Sequence, residues 1–138
     1  MFSVSLKMRH MGAAAVEFAM MVPVFVILVM GSIEIGWALY IQNALIDASR
    51  LGARSATTDS STTSLQIVDN VKDYMKGMVA STDHMNVVID PDPALVTRGT
   101  PITVTVTIPY DEKIMLLPTA IIMEGITLES HTTMNKEY

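Results

Sequence analysis

The stretch GAAAVEFAMMVPVFVILVMGSIEIGWALYI, residues 12–41, decides the fold of this chain. From Phe18 to Ile33 it contains no charged residue. A helix needs about 20 mostly apolar residues to cross the roughly 30 Å hydrocarbon core of a bilayer. The stretch therefore predicts one membrane-spanning helix, and the high overall mean hydropathy of +0.40 comes mainly from it.

The charges on either side of this stretch indicate its direction across the membrane. Lys7 and Arg9 precede it, and no Lys or Arg follows until Arg50. Basic residues are enriched in the cytoplasmic flanks of membrane helices. We therefore expect residues 1–12 in the cytoplasm and the rest of the chain, after the helix, outside it.

Three interpretations fit a basic flank followed by an apolar run. The first is a secretory signal peptide, cut after the small-x-small sequence Gly36-Trp37-Ala38 and releasing a soluble protein. The second is a plain signal anchor that spans the bilayer and has no other role. The third is a type IV prepilin-like signal, in which a basic leader is cut after a glycine, here between Gly12 and Ala13.

Glu17 bears on this choice because it lies where a signal peptide or plain anchor is normally apolar. A carboxylate at the centre of a membrane helix costs about 2.5–3.5 kcal/mol on insertion scales. One explanation is that Glu17 reaches water at the cytoplasmic interface. The other is that cleavage before Ala13 creates an α-ammonium with a pKa of about 7.7–8.0, which pairs with Glu17 of a neighbouring subunit. That ion pair would fix the axial register between subunits.

The same residues resemble the N-terminal region of TadE-like proteins, the pseudopilins of the bacterial tight-adherence (Tad) pilus system. The resemblance rests on the basic leader, Gly12, Val16-Glu17-Phe18, Pro23, Gly31 through Gly36, and ASRLGAR at residues 48–54. It implies cleavage by a prepilin peptidase and an inner-membrane protein with its C-terminal domain outside the cytoplasm. It also implies that Glu17 and Phe18 act in assembly with other pilins or pseudopilins. Adhesion and biofilm formation would follow from the pilus rather than from this chain.

The predicted helix covers residues 13–56 and contains several features within its apolar part. Pro23 removes one backbone hydrogen bond, which gives either a harmless bend or a hinge for packing. Ser32 and Gly36 form a small-xxx-small pair that allows another helix to approach closely. We expect Glu34 to be solvated at the outer interface, with contact to a partner subunit as the alternative.

Beyond the membrane the helix is predicted to become amphipathic. Apolar residues at intervals of three and four form one stripe: Ile41, Ala44, Leu45, Ala48 and Leu51. The polar stretch TTDSSTTS at residues 57–64 ends the helix.

Residues 57–138 are predicted to form an exported α+β domain. A second helix is expected at 65–80, with one apolar side formed by Leu65, Val68, Val71, Met75, Met78 and Val79. Strands are expected at 85–90, 102–108 and 126–134, because the last two alternate apolar and polar residues. Residues 111–125 indicate either a short helix or a loop with apolar anchors. The predicted fold is therefore α+β, with a long helix, a second helix and a small antiparallel sheet of about three strands.

The sequence offers no positive argument for an enzyme. It has no cysteine, so disulfides and thiolate metal sites are excluded. His10, His84 and His131 are far apart, and Asp83, Asp90 and Asp92 lack the spacing of a calcium loop. The net charge of −5 argues against nucleic acid binding. We expect no metal, cofactor or small-molecule substrate.

Two functional hypotheses remain from the sequence besides the secreted form. The first is a minor pseudopilin of a Tad-type pilus, with a leader at 1–12, a helix at 13–56 and an exported domain at 57–138. The second is an uncleaved, membrane-tethered module that binds a partner outside the cytoplasm.

Overall fold

The longest element is a single helix that runs from the N-terminal region deep into the folded domain. A computed structural model describes residues 4–58, 61–111, 114–116 and 125–138, with side chains from residue 12 onward. Helix α1 spans Val4–Thr58, and it ends within the polar stretch predicted to stop it. The remaining elements are α2 (Ser64–Lys76), a 3-10 turn (Pro93–Leu95), and the strands β1 (Asn86–Asp90), β2 (Pro101–Pro109) and β3 (Thr127–Asn135). The α+β fold predicted from the sequence is confirmed.

Helix α1 changes character at Glu34. Residues 12–33 are exposed apart from the partly covered Gly31, whereas burial recurs every three or four residues from Glu34 onward. The predicted stripe is right for Ile41, Ala44, Leu45 and Ala48, all of which are buried. It is wrong for Leu51, which is 39% exposed. The buried line continues through Gly52, four residues after Ala48.

Gly52 lies where α1, α2 and β2 meet, and there is little room for a side chain at this position. A Cβ atom added to it would lie 3.0 Å from a methyl group of Val104 on β2 and 3.0 Å from one of Val71 on α2. Ordinary carbon contacts are about 3.5–4.0 Å. The glycine therefore lets α1 approach both elements closely.

Helix α2 begins with a capping box. The side chain of Thr63 accepts a hydrogen bond from the backbone N–H of Gln66, and the Gln66 side chain accepts one from the N–H of Thr63. These bonds satisfy two backbone donors that a helix start otherwise leaves free. The helix ends at Lys76, earlier than the predicted residue 80.

The buried side of α2 differs in part from the predicted one. Ile67, Val71 and Met75 are buried at four-residue intervals. Leu65 was expected on this side but is 77% exposed. The cause is the rotation of α2 about its axis. The helix turns the side with positions 67, 71 and 75 toward the core, and position 65 lies on a different side.

The three strands form one antiparallel sheet in the order β1-β2-β3. Val88 pairs with Thr105, and Thr105 pairs with His131. The alternation predicted for β2 is confirmed, because its even-numbered residues are all buried: Ile102, Val104, Val106 and Ile108. They pack with the helices, whereas the threonines of β2 lie on the opposite face.

The segment between β2 and β3 is described in part. Residues 112–113 and 117–124 lie outside the described residues, so the prediction of a short helix or an anchored loop falls largely outside them. Ile114 is buried in the core and is one apolar anchor of this segment.

Candidate membrane anchor and its junction with the sheet domain

The exposed part of α1 has the dimensions of a membrane anchor. Residues 12–33 measure about 33 Å at 1.5 Å per residue, close to the roughly 30 Å hydrocarbon core of a bilayer. The helix over Gly12–Thr58 contains an apolar window with a mean hydropathy of 2.4, none of which is buried by the rest of the chain. Among the described residues, this is the one helix long and apolar enough to cross a membrane.

The sequence-predicted assembly residues lie on this exposed part. Glu17 is exposed and Phe18 is 72% exposed. Gly12 and Ala13, the predicted cleavage site, lie inside α1 and are also exposed. The fold thus leaves all four positions open to another molecule.

Pro23, Ser32 and Gly36 are also part of α1. Pro23 lies within the helix. The hydroxyl of Ser32 donates a hydrogen bond to the carbonyl of Leu28 at 2.8 Å, so it is satisfied inside its own helix. A Cβ atom added to Gly36 would meet nothing within 4 Å. The helix surface beside Gly36 is therefore open.

Glu34 is buried at the junction, which corrects the expectation that it is solvated at the outer interface. Its side chain is 2% exposed. The carboxylate accepts a hydrogen bond from the Tyr110 hydroxyl and another, at 3.3 Å, from the backbone N–H of Leu116. Tyr110 follows directly after β2, so the central strand carries the phenol onto the helix.

The hydroxyl of Tyr110 is held in its protonated, donating form. Tyr110 is 1% exposed. Burial raises the pKa of its phenol above the ordinary value of 10, and the hydrogen bond and negative charge of Glu34 raise it further. The phenol therefore stays neutral and donates its hydrogen bond to Glu34 across physiological pH.

Two aromatic residues follow Glu34 on α1: Trp37 about one turn beyond it and Tyr40 nearly two turns beyond it. The indole N–H of Trp37 donates to the carbonyl of Ile114 at 2.7 Å. The rings of Trp37 and Tyr40 stack with centroids 5.2 Å apart. Trp and Tyr are enriched at the level of lipid headgroups, where an apolar ring with a polar edge is stable. Their position fits one end of a membrane anchor formed by residues 12–33.

Further contacts fasten the rest of α1 to the sheet. The buried hydroxyl of Ser49 lies 3.1 Å from that of Ser130 and 2.8 Å from that of Thr132, both on β3. The side-chain amide of Gln42 donates to the carbonyl of Glu129 at 2.8 Å. Helix and sheet therefore form one unit along the length of β3.

The C-terminal end of β3 is fastened as well. The ammonium group of Lys136 donates to the carbonyls of Pro93 and Val96 at 2.7 and 2.8 Å. The backbone N–H of Glu137 donates to the carbonyl of Thr57 at 3.0 Å. The last turn of α1 is thereby bound to the far end of the sheet.

The exposed segment of α1 and the helix residues of its junction with the sheet domain fall within a segment that matches a known protein family. Residues 12–54 match the TadE-like protein family. The match confirms the resemblance predicted from the sequence, and it covers about a third of the chain, from the exposed helix through Glu34 and Trp37. No curated protein and no solved structure matches the chain.

The TadE-like match suggests a structural component of a Tad pilus rather than an enzyme. Within the described residues, no three His, Cys, Asp or Glu side chains come together in a way that could hold a metal ion. Asp92 stabilises the start of the 3-10 turn. Its carboxylate accepts hydrogen bonds from the N–H of Ala94 and the hydroxyl of Ser64, both at 3.0 Å. His84 and His131 are exposed.

Sequence reasoning identified the TadE-like anchor but missed the junction. Tyr110 carries no distinguishing pattern in the sequence, and Trp37 was considered only as part of a candidate signal-peptide cleavage site. The available signal was the acidic Glu34 within an apolar run next to a tryptophan, which indicates a buried polar contact. Its partner could not be identified, because Tyr110 lies 76 positions away in the sequence.

Proposed function

We propose that this chain is a minor pseudopilin, a structural or assembly component of a Tad-type pilus. The observation that supports this most is the exposed apolar half of α1, which carries a glutamate near one end and continues directly into a folded domain. A helix of this kind anchors the subunit in the membrane before assembly and packs among other helices afterwards. The TadE-like match over residues 12–54 supports the same function.

In this proposal a prepilin peptidase removes residues 1–12 by cutting between Gly12 and Ala13. The chain is held in the inner membrane with its N-terminus in the cytoplasm, and residues 57–138 are exported. Loss of Lys7 and Arg9 takes the net charge from −5 to −7. The new ammonium group of Ala13 pairs with Glu17 of a neighbouring pilin or pseudopilin and sets the axial register. Phe18, Ser32 and Gly36 contribute to helix packing, and Pro23 provides the bend.

The first test is the N-terminal sequence and intact mass of the chain purified from membranes of its host. A start at Ala13 supports prepilin processing. A start at Met1 contradicts it and favours an uncleaved, membrane-tethered binding module. A soluble product that begins after Ala38 contradicts both and indicates ordinary secretion.

The second test addresses the role of Glu17. In Glu17→Gln the side chain keeps its shape and loses its charge, so we expect normal membrane insertion with loss of pilus assembly. Glu129→Gln is a matched control, because Glu129 is an exposed glutamate on β3. Normal pili in cells that carry only Glu17→Gln would refute the register role.

A further inference from the structure

Leu116 lies at the membrane end of the sheet domain. Its backbone N–H bonds to Glu34, and the carbonyl of Ile114 bonds to Trp37. Glu34 precedes Trp37 on α1 by three residues, or about 4.5 Å toward the membrane at 1.5 Å per residue. From Ile114 to Leu116 the chain therefore descends along α1 toward the exposed apolar segment.

The chain returns to the sheet at the same level. The carbonyl of Ile126 accepts a hydrogen bond from the N–H of Tyr110 at 2.7 Å, and the hydroxyl of Tyr110 bonds to Glu34. Leu116 and Ile126 thus flank the same end of the domain. Their side chains are 49% and 41% exposed, although the domain has a well-packed core beside them.

From this placement we infer that Leu116 and Ile126 contact the lipid surface of the outer leaflet, beside the anchor. Glu34 follows the last residue of a segment whose length matches the hydrocarbon core, so its level is that of the headgroups. Trp37 and Tyr40, whose residue types are enriched at that level, lie about one turn and nearly two turns above Glu34. Both exposed apolar side chains lie at the end of the domain from which the exposed apolar segment of α1 extends, and lipid is the solvent that covers both.

The depth of this contact is limited by the backbone. Non-helical backbone exposed to lipid does not occur in the hydrocarbon region, because its N–H and C=O groups would lack partners. The side chains of Leu116 and Ile126 therefore reach the boundary between headgroups and acyl chains, and the backbone stays above it. The domain rests on the membrane at this point in addition to being anchored in it.

The absence of cysteine makes the inference directly testable. Single cysteines are introduced into the full chain at Leu116, at Phe25 in the middle of the exposed helix, and at Leu95, an exposed leucine of the 3-10 turn near the end of α1. Each is labelled with an environment-sensitive fluorophore and reconstituted into phosphatidylcholine vesicles that contain lipids with a quencher at the headgroup or deep in the chain. Circular dichroism verifies that each variant is folded.

The inference requires insertion of the anchor, which is part of the proposed function, and the Phe25 label monitors that step separately. We expect deep quenchers to quench the Phe25 label and headgroup quenchers to quench the Leu116 label several-fold more than the Leu95 label. Equal quenching at Leu116 and Leu95, with Phe25 quenched, overturns the lipid contact and leaves the anchor intact. Shielding of the Leu116 label from aqueous iodide without lipid quenching also overturns it, because a protein would then cover the site. Lack of quenching at Phe25 refutes the anchor itself.

Discussion

Replacing Tyr110 with phenylalanine tests the contact that joins the sheet domain to the anchor. The ring of Tyr110 is fully packed, so the substitution removes only the hydroxyl that donates to Glu34. A hydrogen bond to a charged group contributes about 1.5–3 kcal/mol, and one between neutral groups about 0.5–1.5 kcal/mol. We expect Tyr110→Phe to lower the free energy of unfolding by about 1.5–3 kcal/mol, because the Glu34 carboxylate stays buried and loses a hydrogen-bond donor.

A second substitution isolates this bond from other effects of the lost hydroxyl. In Glu34→Gln, the remaining carbonyl oxygen can still accept from both Tyr110 and the N–H of Leu116, which bond to the same oxygen of Glu34. In that background the loss caused by Tyr110→Phe falls to the neutral value, about 0.5–1.5 kcal/mol. The double-mutant cycle therefore gives a coupling energy on the order of 1 kcal/mol.

The assay is unfolding of the full chain in detergent micelles, followed by fluorescence and by circular dichroism. Trp37 is the single tryptophan and lies at the junction, so its emission reports the relevant region. For a domain of this size, the loss from Tyr110→Phe lowers Tm by on the order of 10 °C. Tyr40→Phe is the control, because it removes a hydroxyl from a half-exposed ring on α1, the helix that carries Glu34. Equal losses from Tyr110→Phe in the wild-type chain and in the Glu34→Gln variant would refute the assignment.

Three further predictions concern stability. Gly36→Ala is expected to raise the free energy of unfolding by about 0.8–1 kcal/mol, because alanine has the higher helix propensity. Gly52→Ala has the same gain but also costs about 1–3 kcal/mol, because its methyl group crowds Val104 and Val71. Equal free energies of unfolding for the two variants would contradict the close approach at Gly52. Ser49→Ala is expected to cost about 1–3 kcal/mol in denaturant unfolding, because it removes a shared hydroxyl partner from two side chains of β3, and an unchanged midpoint would refute this. The raised pKa of Tyr110 means that the folded chain holds the phenol proton more tightly than the unfolded chain. Its contribution is therefore complete below about pH 10 and is lost as the pH rises above that value, and Tyr110→Phe should lose less stability over the same alkaline range than the wild type does.

Local patterns in the sequence predicted most of the secondary structure. Strict alternation at residues 102–108 identified β2, because a sheet with one buried face imposes a period of two. The polar stretch at residues 57–64 marked the end of α1 correctly. The two wrongly placed leucines, Leu51 and Leu65, share one cause. A helical pattern of apolar residues fits two adjacent sides of the helix almost equally well, and contact with the rest of the fold decides which side is buried.

The junction depended on long-range information that periodicity does not carry. Glu34 was expected in solvent because a carboxylate at the end of an apolar run usually reaches water. Its burial depends on Tyr110 and on the backbone of Leu116, which only the folded sheet brings beside it. The predicted roles of Gly12, Glu17 and Pro23 depend on other molecules, and they stay predictions.

Because α1 passes from the exposed segment at Ile33 into the core at Glu34 without a linker, the sheet domain sets the rotational phase of the anchor. Each helical residue turns the chain by about 100°, so Glu17 projects about a quarter of a turn away from the side on which Glu34 meets the sheet. One residue inserted between these two glutamates would rotate Glu17 by about 100°, onto the side of the helix that carries Glu34, while leaving composition and hydropathy almost unchanged. The orientation of the sheet domain about the helix axis is thus fixed relative to the face of the helix that carries Glu17.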